Sequence, residues 1–137
     1  MSAQPGRGRR IALFVLAAAY ALAGVAHLTR PSGFVAITPG WVPAPASVVA
    51  LTGVAELAGA AGLLIHPLRR AAGIGLALYA LCVWPANFNH ALNDIPLGGT
   101  HLSWWYHGPR LALQPLLIWL PLWASGVIDW PWRKGRF

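Results

Sequence analysis

Apolar residues dominate four long stretches of the chain, and short polar, proline-rich or aromatic segments separate them. A membrane-spanning helix needs roughly 20 mostly apolar residues. Four stretches meet this length, so the pattern predicts an all-α fold with four transmembrane helices. The predicted spans cover about residues 11–29, 48–65, 71–91 and 110–128.

The segments between the predicted spans differ in character. The turn HPLRR between spans two and three is short, which favours an antiparallel helical hairpin. The segment 30–47 is rich in proline, and the segment 92–109 contains the run WWY. Aromatic rings favour the headgroup level of a bilayer. We therefore expect an antiparallel bundle in which these two extracytoplasmic loops cap one end.

The overall composition also indicates that the chain lies in a lipid bilayer. Apolar residues make up 57% of the 137 residues and charged residues only 9%, whereas a soluble domain carries about 25% charged residues. The chain has too few charges to cover a water-facing surface, so we expect the lipid bilayer to be its main partner. The pattern predicts a single membrane domain over 11–128, with a basic N-terminus at 1–10 and a basic tail at 129–137.

Basic residues lie at the ends of the apolar stretches and are unevenly divided between the two sides. Arg30 and Arg110 fall on one predicted side, and the other eight fall on the opposite side. Cytoplasmic loops carry an excess of Lys and Arg, so both termini are predicted to be cytoplasmic. This clustering argues against a nucleic-acid-binding face despite the net charge of +7. The eight residues are Arg7, Arg9, Arg10, Arg69, Arg70, Arg133, Lys134 and Arg136.

The first apolar stretch has a second interpretation, as a secretory signal peptide with a weak cleavage site near Gly24-Val25-Ala26. The stretch is long for that role, and it keeps Tyr20 and His27 near its end. A membrane span is the preferred interpretation.

Several polar side chains fall inside the predicted spans, all in the predicted outer half. A charge at the centre of a bilayer costs at least about 2.5 kcal/mol, so such residues normally face the bundle interior or water. All four spans supply at least one of them, which predicts a polar pocket that opens outward beneath the two loops. These residues are His27, Glu56, Asn87, Asn89, His90, Arg110 and Gln114.

Glu56 is the only acidic residue within a predicted span, and its neighbours Gly53, Ala55 and Gly59 are small. Small residues allow a second helix to approach closely, so Glu56 is expected to face the bundle centre. His27, near the outer end of span one, is expected to lie somewhat above it. We predict that Glu56 and His27 handle protons. The alternative is a hydrogen bond that only ties helices together.

The remaining polar residues form two pairs at helical spacing. Asn87 and His90 are three residues apart, and Arg110 and Gln114 are four apart, so each pair shares one helix face. We predict that all four contact a ligand, with Arg110 supplying positive charge. The alternatives are helix termination near His90 and an Arg110 that reaches the outer headgroups. Asn89 is expected to point elsewhere, toward loop backbone.

Metal, phosphate and thiol chemistry find little support in the sequence. None of the five histidines pairs with another at three- or four-residue spacing, so we expect no metal site. The single Cys82 excludes an intramolecular disulfide. No glycine-rich phosphate loop and no electron-carrier motif are present.

Four segments together resemble the DoxX-like family of small membrane proteins: GVAHLTRPSGFVAITPGWVPAP, LTGVAELAGAAGLL, PANFNHAL and RLALQPLLIW. The resemblance covers roughly residues 20–128. It implies a four-helix bundle in the bacterial inner membrane. Some members of that family are small subunits of thiosulfate:quinone oxidoreductases or partners in membrane redox complexes, so the resemblance implies a quinone as ligand or cofactor.

Two functions are consistent with these residues. The first is a redox-associated subunit whose pocket takes a quinone-like or small anionic ligand, with a redox enzyme subunit as partner. The second is a non-catalytic membrane scaffold or assembly factor. Whether the chain is itself an enzyme, and whether it forms a homo-oligomer, are both left open by the sequence.

Overall fold

The computed structural model describes residues 5–132, and this part of the chain is helical with no β-strand. Three helices are long and apolar enough to cross a membrane, namely α1, α3 and α4 with the short 3₁₀ turn His66–Leu68 that precedes it. This agrees with the membrane protein predicted from the sequence. The helices are α1 (Arg7–Thr29), α2 (Pro31–Ile37), α3 (Pro45–Leu64), α4 (Arg69–Leu92) and α5 (Trp104–Ala124).

The last helix differs from the predicted span 110–128. It begins at Trp104, so the aromatic run expected in a loop forms its first turn. It ends at Ala124 because Gly126 follows with φ +80°. The amides of Gly126 and Val127 donate to the carbonyls of Trp123 and Leu122, which is the usual glycine-terminated helix end. The residues Arg133, Lys134 and Arg136 of the predicted basic tail lie outside the described part.

The first predicted loop contains the short helix α2, which Pro31 opens at a position that suits proline. The side-chain amide of Asn89 on α4 donates to the carbonyl of Ile37 at 2.9 Å. This contact joins the end of α2 to the end of α4. It confirms the expectation that Asn89 points toward loop backbone.

The long helices pack in pairs, with α1 along α3 and α4 along α5. Gly24, late in α1, meets Gly53, early in α3: a Cβ on Gly24 would lie 2.8 Å from the Gly53 carbonyl oxygen. At the other end of these helices, Leu13 and Leu16 share one buried cluster with Leu63. The two glycines therefore allow α1 and α3 to touch backbone to backbone at one level.

The start of α1 and the segment after α5 meet at the same end of the molecule. The Arg9 guanidinium pairs with the Asp129 carboxylate and also donates to the Ile128 carbonyl at 3.1 Å. It also lies over the Trp123 ring, 5.4 Å from the centroid. Because Asp129 is exposed, this pair contributes little stability, of the order of 0–1 kcal/mol. It nevertheless places both ends of the described chain side by side.

We predict that Gly53→Ala destabilises the fold by about 1–3 kcal/mol, the usual cost of adding a methyl group where no space exists. Its Cβ would lie 2.9 Å from the Cβ of His27. Gly75→Ala is the matched control, since a Cβ there meets nothing within 4 Å. Thermal denaturation in detergent measures both variants, and equal melting temperatures would contradict the close α1–α3 contact.

Candidate functional site

A cavity of about 510 Å³ lies between the α1–α3 pair and the α4–α5 pair, with α2 and the segment through Val42 at one end. Its walls are mostly apolar. Five of the six site residues predicted from the sequence line it, and they come from all four long helices. These residues are His27, Glu56, Asn87, Arg110 and Gln114.

Glu56 is buried, with 3% of its surface exposed, and its carboxylate faces two polar side chains. The Tyr79 hydroxyl donates to Oε1 at 2.7 Å. Nδ1 of His27 lies 2.8 Å from Oε2 and 2.9 Å from the carbonyl oxygen of Ala23. Because both neighbours of Nδ1 are acceptors, Nδ1 carries a proton.

The two oxygens of Glu56 are not equally satisfied. Oε2 is buried and receives no well-aligned hydrogen bond, since the N–H of His27 is directed at the Ala23 carbonyl. A buried acceptor without a donor costs about 1–3 kcal/mol. Oε2 is therefore an acceptor without an aligned donor, on a residue that lines the cavity.

Local sequence explains how His27 reaches Glu56. Gly53 lies almost one turn before Glu56 on α3, and the Cβ of His27 occupies the space that a Gly53 side chain would need. The ring of Phe34 on α2 stacks on the imidazole, with centroids 3.7 Å apart. The imidazole is thus held between α3 on one side and α2 on the other.

Asn87 and Gln114 form a second polar group in the wall built from α4 and α5. The Asn87 amide donates to Oε1 of Gln114 at 3.2 Å, and the Gln114 amide donates to the Ala80 carbonyl. Both side chains are buried. The α4 helix continues through Pro85, which has no N–H and leaves the Leu81 carbonyl without its helical partner.

Arg110 lines the cavity, and neighbouring side chains on α4 and α5 hold its guanidinium in place. Its Nη1 donates to Nδ1 of His90 at 3.0 Å, and its guanidinium lies 5.5 Å from the ring centroid of Tyr106. Arginine only donates, so Nδ1 of His90 is the acceptor and the ring proton of a neutral His90 lies on Nε2. This contact keeps the guanidinium at the cavity wall.

His90 itself does not line the cavity, unlike the other five residues predicted to form the site. It is fully buried, and its ring packs against His107, with centroids 4.6 Å apart. The physical reason is the earlier start of α5, because the added first turn brings Tyr106 and His107 over His90. His90 supports Arg110 instead.

Two nearby residues were missed in the sequence. His107 is buried, and neither of its ring nitrogens has a hydrogen-bond partner within the described chain. Its spacing to Arg110 and Gln114 places it on their helix face, but the predicted span started after it. Tyr79 lies two helical turns before Asn87 on one face of α4, and its position in an apolar run concealed its link to Glu56. Between residues 5 and 132, no three metal-ligating side chains converge.

Comparison with known proteins adds a family but no function. No curated protein and no solved structure matches the chain. Residues 16–127 match the family described as Domain of unknown function (DUF8561). The matched region extends from the middle of α1 past the end of α5 and contains every cavity residue discussed above. The chain therefore belongs to the DUF8561 family.

Proposed function

We propose that the chain is a DoxX-like protein of the bacterial inner membrane, with four membrane-crossing helices in an antiparallel bundle and both termini cytoplasmic. The 21 residues of α5 extend about 32 Å at 1.5 Å per residue, enough to cross the hydrocarbon. The contact between Arg9 and Asp129 supports a common side for both chain ends. The excess of basic residues at that side favours a cytoplasmic location for it.

We further propose that the cavity binds a quinone-like or small anionic ligand and that the protein acts as a redox-associated subunit. The observation that carries this proposal is Oε2 of Glu56, a buried acceptor without an aligned donor in the wall of an apolar cavity. A ligand site is expected to combine apolar walls with a few convergent polar groups.

The residues present fit a quinone ring. The mostly apolar walls suit its faces, and Arg110 at the cavity wall offers N–H donors to an oxygen atom that gains electron density. Asn87 and Gln114 lie in the same wall as further hydrogen-bonding groups. A small anion would use the same guanidinium.

A quinone that is reduced takes up two electrons and two protons. The electrons must come from a redox centre of a partner protein, because no electron-carrier motif occurs in this sequence. Within this chain, Glu56 exchanges protons at Oε2, and the Tyr79 hydroxyl and the His27 imidazole stabilise its carboxylate. General acid–base catalysis of this kind contributes about 10²–10⁴-fold.

A membrane scaffold is the second candidate, because the same polar side chains also bridge helices. Glu56 with Tyr79 joins α3 to α4, and Asn87 with Gln114 joins α4 to α5. Such interhelical hydrogen bonds contribute about 0.6 kcal/mol each. This function requires no molecule in the cavity and leaves Oε2 of Glu56 without a role.

Protein purified from its native membrane is expected to carry quinone, detected by organic extraction and chromatography. Added decylbenzoquinone should raise its melting temperature, because a ligand that binds only the folded state stabilises it. Absence of both effects would reject the quinone site and favour the scaffold.

Glu56→Gln should weaken binding of the reduced form, decylbenzoquinol, roughly tenfold, since the quinol hydroxyl donates to Oε2 and this hydrogen bond of about 1–1.5 kcal/mol is lost when the amide N–H group takes the place of that oxygen. Glutamine still accepts a hydrogen bond from Tyr79, so the melting temperature without ligand should change little. Asp94→Asn is the control, because Asp94 is exposed and pairs with His101 outside the cavity. A titration monitored by thermal stability measures the affinity; unchanged binding in Glu56→Gln would contradict the role of Oε2.

His90→Phe should lower the affinity about tenfold by removing the acceptor that holds Arg110, while His90→Gln should restore it by supplying a new acceptor. The same thermal titration measures both variants. If the two lose affinity equally, His90 does not position Arg110 through its acceptor nitrogen.

The proposed topology predicts that a fluorescent protein fused after Phe137 is bright in the cytoplasm. Alkaline phosphatase inserted at Gly98-Gly99 should be active, because that turn lies on the opposite side. The reverse pattern of the two reporters would contradict the orientation.

A further inference from the structure

The cavity is partly covered at the end where α1 passes into α2. Ile37 and Pro39 line it there and are buried. Asn89 holds the Ile37 carbonyl, and Phe34 stacks on His27. Together these contacts keep α2 and the residues after it over the cavity. We call this end the roof, defined by Phe34, Ile37 and Pro39.

The side of the cavity is open. Six of its lining residues are also exposed on the outer surface of the protein. Trp41 is one of them and lies beside the roof, and the other five, on α1, α4 and α5, form the rim of a lateral opening. The rim residues are Ala19, Cys82, Pro85, Leu113 and Leu117.

Around the bundle, α1 adjoins α3 and α5, and α4 adjoins the same two helices, so α1 and α4 face each other across the cavity, where the rings of Tyr20 and Tyr79 meet. Arg9 of α1 contacts Trp123 of α5 at the far end of the bundle. Ala19 and Leu117, in contrast, are exposed farther along the same two helices, so they mark an opening into the cavity between α1 and α5.

The depth of this rim identifies the solvent that it faces. Cys82 lies about 15 Å from the Leu92 end of α4 at 1.5 Å per residue. Ala19 lies at the same distance from the Thr29 end of α1. The hydrocarbon of a bilayer is about 30 Å thick, so in the proposed topology both residues lie near its centre. None of the rim side chains carries a charge.

We propose that the cavity opens sideways into the hydrocarbon and that its ligand is an amphipathic lipid. The oxygen-bearing head lies between Glu56 and Arg110, and a single apolar chain leaves through the opening between α1 and α5. This inference rests on the proposed function for the binding of the head. It selects a lipid-soluble ligand over a small anion from water.

Two features support this ligand class. A water-soluble anion would have to pass the roof, where Ile37 and Pro39 are buried, Phe34 is half-buried and Asn89 holds the end of α2. A lipid reaches the rim by diffusion in the membrane and keeps its chain in hydrocarbon throughout. Arg110 lies about 9 Å from the Trp104 end of α5 and Glu56 about 16–17 Å from the Pro45 end of α3 at 1.5 Å per residue, so a polar head between them lies beside the rim and its apolar tail enters hydrocarbon directly.

Photolabelling in liposomes tests the opening without any assumption about the head. The full chain is reconstituted in phosphatidylcholine that carries a diazirine in the middle of one acyl chain, and adducts are mapped by mass spectrometry. We expect adducts on the interior wall residues Leu16 and Val49 as well as on lipid-facing surface residues. Adducts confined to the outer surface, or stronger interior labelling by a water-soluble diazirine, would overturn the proposal.

Neighbouring residues provide matched controls. Ala19→Trp and Leu117→Trp place a large ring in the rim and should reduce interior adducts at least fivefold. Ala18→Trp and Leu116→Trp make the same changes at exposed neighbours that do not line the cavity, and they should leave interior labelling unchanged. Equal labelling in all four variants would contradict a lateral opening.

Binding of two quinones tests the apolar chain. The rim variants Ala19→Trp and Leu117→Trp should lose at least tenfold affinity for decylbenzoquinone, and much less for the same ring without its decyl chain. Equal losses for both compounds would reject the exit of the chain through the rim. If neither quinone binds the unmodified protein, the proposed function fails, whereas photolabelling still decides whether the cavity opens to lipid.

Discussion

The backbone contact between α1 and α3 is the constraint on which the site depends. Gly24 and Gly53 have no side chains, so the two helices meet where a Cβ on either residue would strike the opposite helix. In a bilayer such close packing is a main source of helix association, because lipid is as apolar as the helix surfaces. The same contact brings the imidazole of His27 to the carboxylate of Glu56. Because Gly24 and Gly53 have no Cβ, the helices come close enough for a polar pair to form within segments that are long and apolar enough to cross a membrane.

The α4–α5 pair is held together in a different way, by hydrogen bonds between polar side chains. These side chains also fix one another's positions. Gln114 accepts from Asn87 and donates to the Ala80 carbonyl, while His90 holds the guanidinium of Arg110. Each of these side chains has a partner on the neighbouring helix, and Arg110 keeps further N–H groups at the cavity wall. Glu56 on α3 is bonded to α4 through Oε1, while its Oε2 has no aligned donor. Glu56 and Arg110 are therefore the charged groups with hydrogen-bonding capacity left at the cavity.

The two helix pairs meet only in part, and the space between them becomes the cavity. The short turn at His66–Leu68 joins α3 to α4 at one end, and α2 covers the other end. Between α1 and α5, the lining residues Ala19 and Leu117 remain exposed at mid-length. The cavity therefore has a covered end and an apolar, open side, and this asymmetry favours a lipid over a water-soluble ligand.

Much of this arrangement could be predicted from the sequence, because hydrophobic length and charge placement are local properties. Three spans and the helical class follow from apolar stretches, and the rarity of polar residues at membrane depth identified Glu56, His27, Asn87, Arg110 and Gln114. The start of α5 was misjudged, since an aromatic run suits either a loop at the interface or a helical turn. That choice depends on packing against α4.

The sequence by itself determined that the chain is helical, apolar enough for a membrane, and provided with a few polar side chains in its spans. Only the tertiary structure decided which of them share a cavity. It moved His90 behind Arg110, linked Tyr79 to Glu56, and left one carboxylate oxygen without an aligned donor. The reason is physical: helical periodicity assigns a residue to a face, but the neighbour of that face is set by close packing between helices distant in the chain.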